Sequence, residues 1–316
     1  EESMLTAFLG YWSENYPDVI TGWNVQLFDI PYIARRIDRI LGERAAKSLS
    51  PWKLISSREI YIKGRRQVAY DLRGIATLDY LELYRKFTYT NQESYRLDHI
   101  CMVELGARKL DHSEFDTFKE FYEKDWQKFI EYNIHDVRLV DQLDDKMKLL
   151  DLAFTMAYDA KVNYEDVFSQ VRMWDNYIYC ELNKRKIAIP PKKEATKDAK
   201  YAGAYVKEPK TGRYDWVVNF DLNSLYPHLI MQYNISPETL WETRHSSANV
   251  EGILKKETKI DGEFAVCANG AQYRKDVQGF LPLMMQKMYD SRVIFKKKMI
   301  KAKQEYEKNP SVELTK

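Results

Sequence analysis

Two aspartates, Asp29 and Asp136, stand where carboxylates can serve phosphodiester chemistry. Asp29 follows a β-rich run, Val19-Ile20-Thr21-Gly22-Trp23-Asn24-Val25, and precedes an amphipathic helical pattern over 32–41 with Pro31 near its first turn. It is therefore expected where a strand gives way to a helix. Asp136 lies in Tyr132-Asn133-Ile134-His135-Asp136-Val137, read as helix, where the four-residue interval sets Tyr132 and Asp136 on one face. Carboxylates brought together hold two divalent metals about 3.5–4 Å apart, one activating a water and the other stabilising the leaving oxygen. Hard cations such as Mg²⁺ prefer these oxygen ligands. A lone Asp at a helix start is more often an N-cap, so neither residue argues this chemistry by itself.

A third carboxylate, Asp221, closes the β-branched and aromatic run Trp216-Val217-Val218-Asn219-Phe220-Asp221, expected as a strand, and 222–233 turns helical behind it. Further on, 282–308 reads as one long helix in which Arg292 and Lys296 share a face. From 287 to 303 its basic residues Lys287, Arg292, Lys296, Lys297, Lys298, Lys301 and Lys303 stand against a single acid, Asp290, a balance that binds phosphates or is merely solvated. The acid-rich stretch 111–151 suits divalent cations or nothing in particular.

The elements that must position these residues follow from periodicity. A helix is expected over 4–16, stopped at Pro17, and a β-hairpin with 58–62 and 67–70 joined at Lys63-Gly64. A strand running into a helix is expected over 77–87, at least two helices over 115–150, and a further helical stretch over 152–185 closed by Pro190-Pro191. The lysine-rich segment 192–200 reads as a linker and marks the principal domain boundary.

The chain has 316 residues, enough for two or three domains, with 45% hydrophobic and 30% charged residues, as in a globular protein. Its longest apolar runs fall short of the roughly 18 residues that cross a bilayer, and the acidic start is no signal peptide, so a cytoplasmic protein without a membrane partner is expected. Cys101, Cys180 and Cys267 form no C-x-x-C pair and read as reduced and partly buried.

Ile20-Thr21-Gly22-Trp23-Asn24-Val25-Gln26-Leu27-Phe28-Asp29 resembles the second exonuclease motif of family B DNA polymerases, and Tyr132-x-x-x-Asp136 resembles their third. Tyr201-Ala202-Gly203-Ala204-Tyr205-Val206 resembles the motif joining exonuclease to palm, with Ala204 where many members have a second glycine. Asp221-Leu222-Asn223-Ser224-Leu225-Tyr226-Pro227 is similar to polymerase motif A, the most specific of the four. They occur in family order, over essentially the whole chain, in wording nearest the T-even-type bacteriophage branch.

The resemblance implies an α/β multidomain fold: an RNase H-like 3′-5′ exonuclease domain over 1–148, a helical connector over 149–192, a partial palm with an antiparallel α+β sheet over 193–280, and the first fingers helix over 281–316. It implies that Asp29 and Asp136 are exonuclease metal ligands and that Tyr132 positions the attacking water. It makes Asp221 a metal ligand of nucleotidyl transfer with the Leu222 carbonyl beside it, and Tyr226 a wall under the incoming sugar that excludes a 2′-hydroxyl. Arg292 and Lys296 would reach the triphosphate, Arg as a fork and Lys as a point charge. The implied cofactors are Mg²⁺ or Mn²⁺, two per complete active site. The implied partners are primer-template DNA, dNTPs and a sliding clamp, with a second polymerase chain if the enzyme is split, in the host cytoplasm if it is viral.

The chain departs from the family pattern in two places. The only Asp-x-Glu, Asp261-Gly262-Glu263, lies downstream of motif A with a turn-like glycine, so the first exonuclease motif is missing; no Asp-x-Asp occurs, so motif C is missing too. The expectation is a fragment of a family B polymerase, opening mid-domain at Glu1, whose isolated chain has little or no catalysis. Two rivals remain: an independent metal-dependent 3′-5′ exonuclease that recruits acids from 141–145, and a non-catalytic DNA-binding or assembly subunit of a split polymerase using Lys/Arg contacts and some of the 23 tyrosines.

Overall fold

A computed structural model describes residues 1–62, 64–189, 191, 206–260 and 262–308. The linker 192–200, positions 201–205 of the joining motif, Lys63 of the hairpin turn, Pro190, Asp261 and Asn309-Pro310 lie outside the described residues. The chain divides into two compact units, Glu1–Lys200 and Tyr201–Lys316. Among the described residues, no helix is long and apolar enough to cross a membrane.

In the first unit α1 (Glu2–Glu14) leads to β1 (Val19–Gly22), a turn, α2 (Asp29–Leu41) and the short α3 (Glu43–Ala46). The antiparallel hairpin β2 (Ile55–Ile62) and β3 (Arg65–Leu72) precedes β4 (Ala76–Asp79), which pairs in parallel with β1 so that Gly22 faces Asp79. Then follow α4 (Tyr80–Phe87), α5 (Leu97–Leu105), α6 (Phe118–Lys124), α7 (Trp126–Met147), α8 (Leu149–Ala160) and α9 (Gln170–Lys184). The short parallel pair lies between two apolar clusters. One gathers Leu78, Tyr80, Leu83, Ile100, Leu139 and Leu143 from β4, α4, α5 and α7; the other gathers Leu5, Leu9, Ile30, Ala34, Ile37 and Leu72 from α1, α2 and β3. The helical spacing in α2 therefore buries Ile30, Ala34 and Ile37 and turns the opposite face outward.

The strand expected over 19–25 stops at Gly22, because Asn24 adopts the left-handed conformation (φ 64°) and turns the chain. The single stretch expected over 152–185 is two helices. Lys161, at φ 55°, ends α8; the Val162 N–H donates to the Ala157 carbonyl at 3.0 Å, and the Ser169 hydroxyl caps α9. Apolar periodicity runs through this break because both helices present apolar residues to the same core.

In the second unit α10 (Leu225–Gln232) and α11 (Val250–Leu254) precede the hairpin β5 (Phe264–Val266) and β6 (Gln272–Arg274), and the unit ends in α12 (Phe280–Lys308). The strand expected over 216–221 is absent. Trp216, Val217, Val218 and Phe220 are irregular and 94%, 80%, 74% and 88% exposed. Strand-forming residues need a pleated surface to pack on, and none of the described residues pairs with this run. The helix expected from 222 begins only at Leu225, after Ser224 in the left-handed conformation (φ 54°).

Candidate active site

Asp29 is the first residue of α2, separated from the end of β1 by the 23–28 turn. That turn is held by a residue that sequence reasoning missed. Asp79, 2% exposed at the end of β4, accepts hydrogen bonds from the Asn24, Gln26 and Leu81 N–H groups, each at 3.0 Å. One carboxylate thus fastens the turn ahead of Asp29 and caps α4. The signal was present, since an Asp directly before a helical pattern is an N-cap signature, but its second task depends on β1 and β4 being paired. Burial pushes the Asp79 carboxyl up and its backbone N–H partners pull it back. Burial also raises Glu82, with the Asp79 charge adding to it. The Asp29 side chain reaches solvent, yet the protein around it displaces enough water to raise its pKa.

Tyr132 and Asp136 meet on α7, as their interval requires, and Lys109 joins them. The Lys109 ammonium lies 2.5 Å from Asp136 Oδ2 and donates to the Tyr132 hydroxyl at 3.2 Å. It also sits 5.2 Å from the centre of the Tyr132 ring. Burial opposes the Lys109 charge, but its bonds to Asp136 and Tyr132 outweigh that and hold its pKa up. Two anchors place the lysine: Asp98 of α5 accepts from its backbone N–H at 3.0 Å, and the His135 ring is bonded to the Arg108 carbonyl at 3.0 Å. Nothing in the sequence marks Lys109, which lies on the irregular segment after α5, because Tyr132 and Asp136 are more than twenty residues away on α7. Cys101 is buried beside the group; burial first, and then the Asp136 charge, push its thiol up to about 12.

The other Asp136 oxygen, Oδ1, is buried with no hydrogen-bond partner. Such an oxygen is costly unless something completes it, and a carboxylate oxygen suits a hard cation. Asp136 therefore fits a metal ligand. The set around it is incomplete: Asp29 shares no hydrogen bond or ion pair with this trio, and among the described residues no three His, Cys, Asp or Glu side chains converge on a metal-sized site.

In the second unit Tyr226 projects from α10, 76% exposed, and α10 packs on α12 through a contact of the His228 and Tyr289 rings at 4.6 Å. The His228 Nδ1 lies 2.9 Å from the Ser224 carbonyl, which ties the start of α10 to its own first turn. Arg292 and Lys296 are exposed on α12 and have no ion pair among the described residues. Asp221 and Leu222 lie on the irregular segment before α10, both exposed. The structure thus joins the helix of Tyr226 to the helix of Arg292 and Lys296, and leaves Asp221 without a hydrogen bond to either.

A model of the exonuclease domain of DNA polymerase family B matches residues 1–100, and a model of DNA polymerase family B matches residues 170–310. The DNA-directed DNA polymerase of Escherichia phage RB69 is 38% identical over 303 residues, which is 96% of this chain and 33% of the phage protein. That of Enterobacteria phage T4 is 35% identical over 299 residues, 95% of this chain and 33% of its own length. The DNA polymerase of Pyrococcus glycovorans is 25% identical over 321 residues, 98% of this chain. The chain spans about a third of the length of the two phage relatives. With an exonuclease model and a polymerase model of one family matching it in order, this chain belongs to the family B DNA polymerases.

Proposed function

We propose that the chain is the part of a DNA-directed DNA polymerase that carries proofreading exonuclease residues and the start of the polymerase active site. The observation that carries this reading is the ordered match of exonuclease and polymerase models along one chain. In it, 1–148 is an RNase H-like 3′-5′ exonuclease domain, 149–192 a helical connector, 193–280 part of the palm and 281–316 the start of the fingers. The enzyme extends a primer on template DNA with dNTPs, works with a sliding clamp and acts in the cytoplasm of a host cell.

In the exonuclease unit Asp29 and Asp136 hold divalent cations, and the unpartnered Asp136 Oδ1 supports that role. Mg²⁺ or Mn²⁺ bound there supplies an activated water and neutralises charge at the leaving oxygen. The Tyr132 hydroxyl orients the attacking water, and Lys109 holds that hydroxyl and the Asp136 carboxylate in fixed relation. In the polymerase unit Asp221 holds cations beside the Leu222 carbonyl. Tyr226 blocks a 2′-hydroxyl by steric overlap, and Arg292 and Lys296 meet the triphosphate from one face of α12.

A chimera tests the reading: this chain replaces the matched third of the phage RB69 polymerase, and primer extension and single-strand degradation are both measured. Asp29→Ala is expected to abolish degradation and spare extension, and Asp221→Ala to do the reverse. A folded chimera with neither activity sinks the proposal.

A further inference from the structure

We propose that His228 is a positioning residue for sugar selection: its ring, held between the Ser224 carbonyl and Tyr289 of α12, sets where Tyr226 stands relative to Arg292 and Lys296. This role rests on the polymerase reading above, in which Tyr226 is the wall under the sugar.

α10 begins without the cap its sequence offers. Ser224 stands at the N-cap, where a hydroxyl commonly accepts from the first turn, yet its side chain makes no capping bond. Its backbone is left-handed (φ 54°), a conformation that costs a residue with a Cβ. The His228 ring supplies the missing fastening. The Ser224 carbonyl accepts twice from His228, from the backbone N–H at 3.2 Å and from the ring at 2.9 Å. A carbonyl has only lone pairs to offer, so Nδ1 carries the proton and donates, which fixes the tautomer of a neutral ring. Both lone pairs of that carbonyl are then used, and the turn that leads from Asp221 and Leu222 into Tyr226 is pinned at its last residue.

The other side of the ring meets α12. Its centre lies 4.6 Å from that of Tyr289, with the planes at 79°, an edge-to-face contact. Tyr289 precedes Arg292 by three residues and Lys296 by seven, so all three follow one face of α12. One imidazole therefore joins the start of the helix that carries the wall to the face that carries the cations. His228 does not act by touching a nucleotide itself, since positions 226 and 228 point about 200° apart around a helix. Tyr226 is 76% exposed, whereas His228 is half-buried against α12. A wall that rejects a 2′-hydroxyl by steric overlap works only where the sugar is held close against it, and the triphosphate sets the place of the sugar. Discrimination is then more sensitive to the register of α10 on α12 than insertion itself.

The test reads sugar discrimination, the ratio of kcat/KM for a dNTP to that for the matching rNTP, in the chimera with the phage RB69 polymerase. His228→Ala is expected to lower the ratio about tenfold, the worth of one hydrogen bond. His228→Asn, whose amide can donate to the same carbonyl, should restore it, and Tyr289→Leu should lower it. In a Tyr226→Ala background, His228→Ala should change the ratio no further. In the chain as given, histidine ¹⁵N shifts at alkaline pH should show His228 as the Nδ1–H tautomer, its signal assigned by its loss in His228→Asn. An Nε2–H ring, equal losses with dNTP and rNTP, no rescue by Asn, or the same effect without the Tyr226 ring would overturn the proposal. If Tyr226→Ala leaves the ratio intact, the reading of Tyr226 fails and the proposal with it. If Tyr226→Ala collapses the ratio while His228→Ala does not, only the proposal fails.

Discussion

Asp79 shows how much one side chain can organise when a parallel strand pair brings two loops together. Its carboxylate satisfies three N–H groups from two segments, and removing it leaves all three with lost partners. Asp79→Ala is expected to cost about 3 kcal/mol, since bonds to charged groups are worth about 1.5–3 kcal/mol each and water replaces part of them; the urea midpoint of the chain measures it. Asp29 has the opposite balance. Burial raises its pKa above the ordinary 3.8, so the native state binds its proton more tightly than the unfolded chain does. The stability this group contributes is therefore complete below 3.8 and lost as pH rises through the raised native value. Asp29→Asn should then be more thermostable than the parent at neutral pH, with the two converging as pH falls below 3.8. Equal melting temperatures at neutral pH would show that the desolvation is not felt.

Among the elements, the start of α12 depends on a loop that capping rules could not read from 280 onward. Glu238 accepts from the Phe280 N–H at 2.6 Å and Asn234 Oδ1 from the Gly279 N–H at 2.9 Å, while the Asn234 amide donates to the Arg274 and Val277 carbonyls. More than forty residues separate cap from helix, so no local signature exists. Gly279 has no room for a side chain, since a Cβ would lie 2.6 Å from Ser236 Cβ and 3.0 Å from Pro282 Cδ. Gly279→Ala is expected to destabilise the second unit by about 2 kcal/mol, read as an earlier thermal transition; an unchanged transition would mean that the loop gives way freely. By contrast α1, α2, the β2–β3 hairpin and the β4–α4 junction were legible beforehand. Each has a strong apolar period or a turn residue of its own.

For the molecule as a whole, the candidate chemistry is divided between two units, and among the described residues neither gathers a full ligand set. Among the described residues no three potential ligands converge, so this chain with Mg²⁺ or Mn²⁺ should leave a 3′-labelled single strand intact, and Asp29→Ala should change nothing. Cleavage abolished by Asp29→Ala would instead bring forward the independent-nuclease reading.

The amino-acid sequence alone determined the kinds of element where the apolar period is strong, the helical interval that joins Tyr132 to Asp136, and the family, because these rest on short-range spacing and on motifs in order. Only the tertiary structure decided which groups attend those residues. Lys109 reaches Asp136 of α7 from the loop after α5, Asp79 fastens the Asn24 turn through a parallel strand pair, and Asn234 and Glu238 brace the start of α12 from a distant loop. It also decided that 216–221 forms no strand, since pairing is a property of the partner as much as of the run. Periodicity records which face of an element seeks cover. It carries no information about which distant atom comes to meet it.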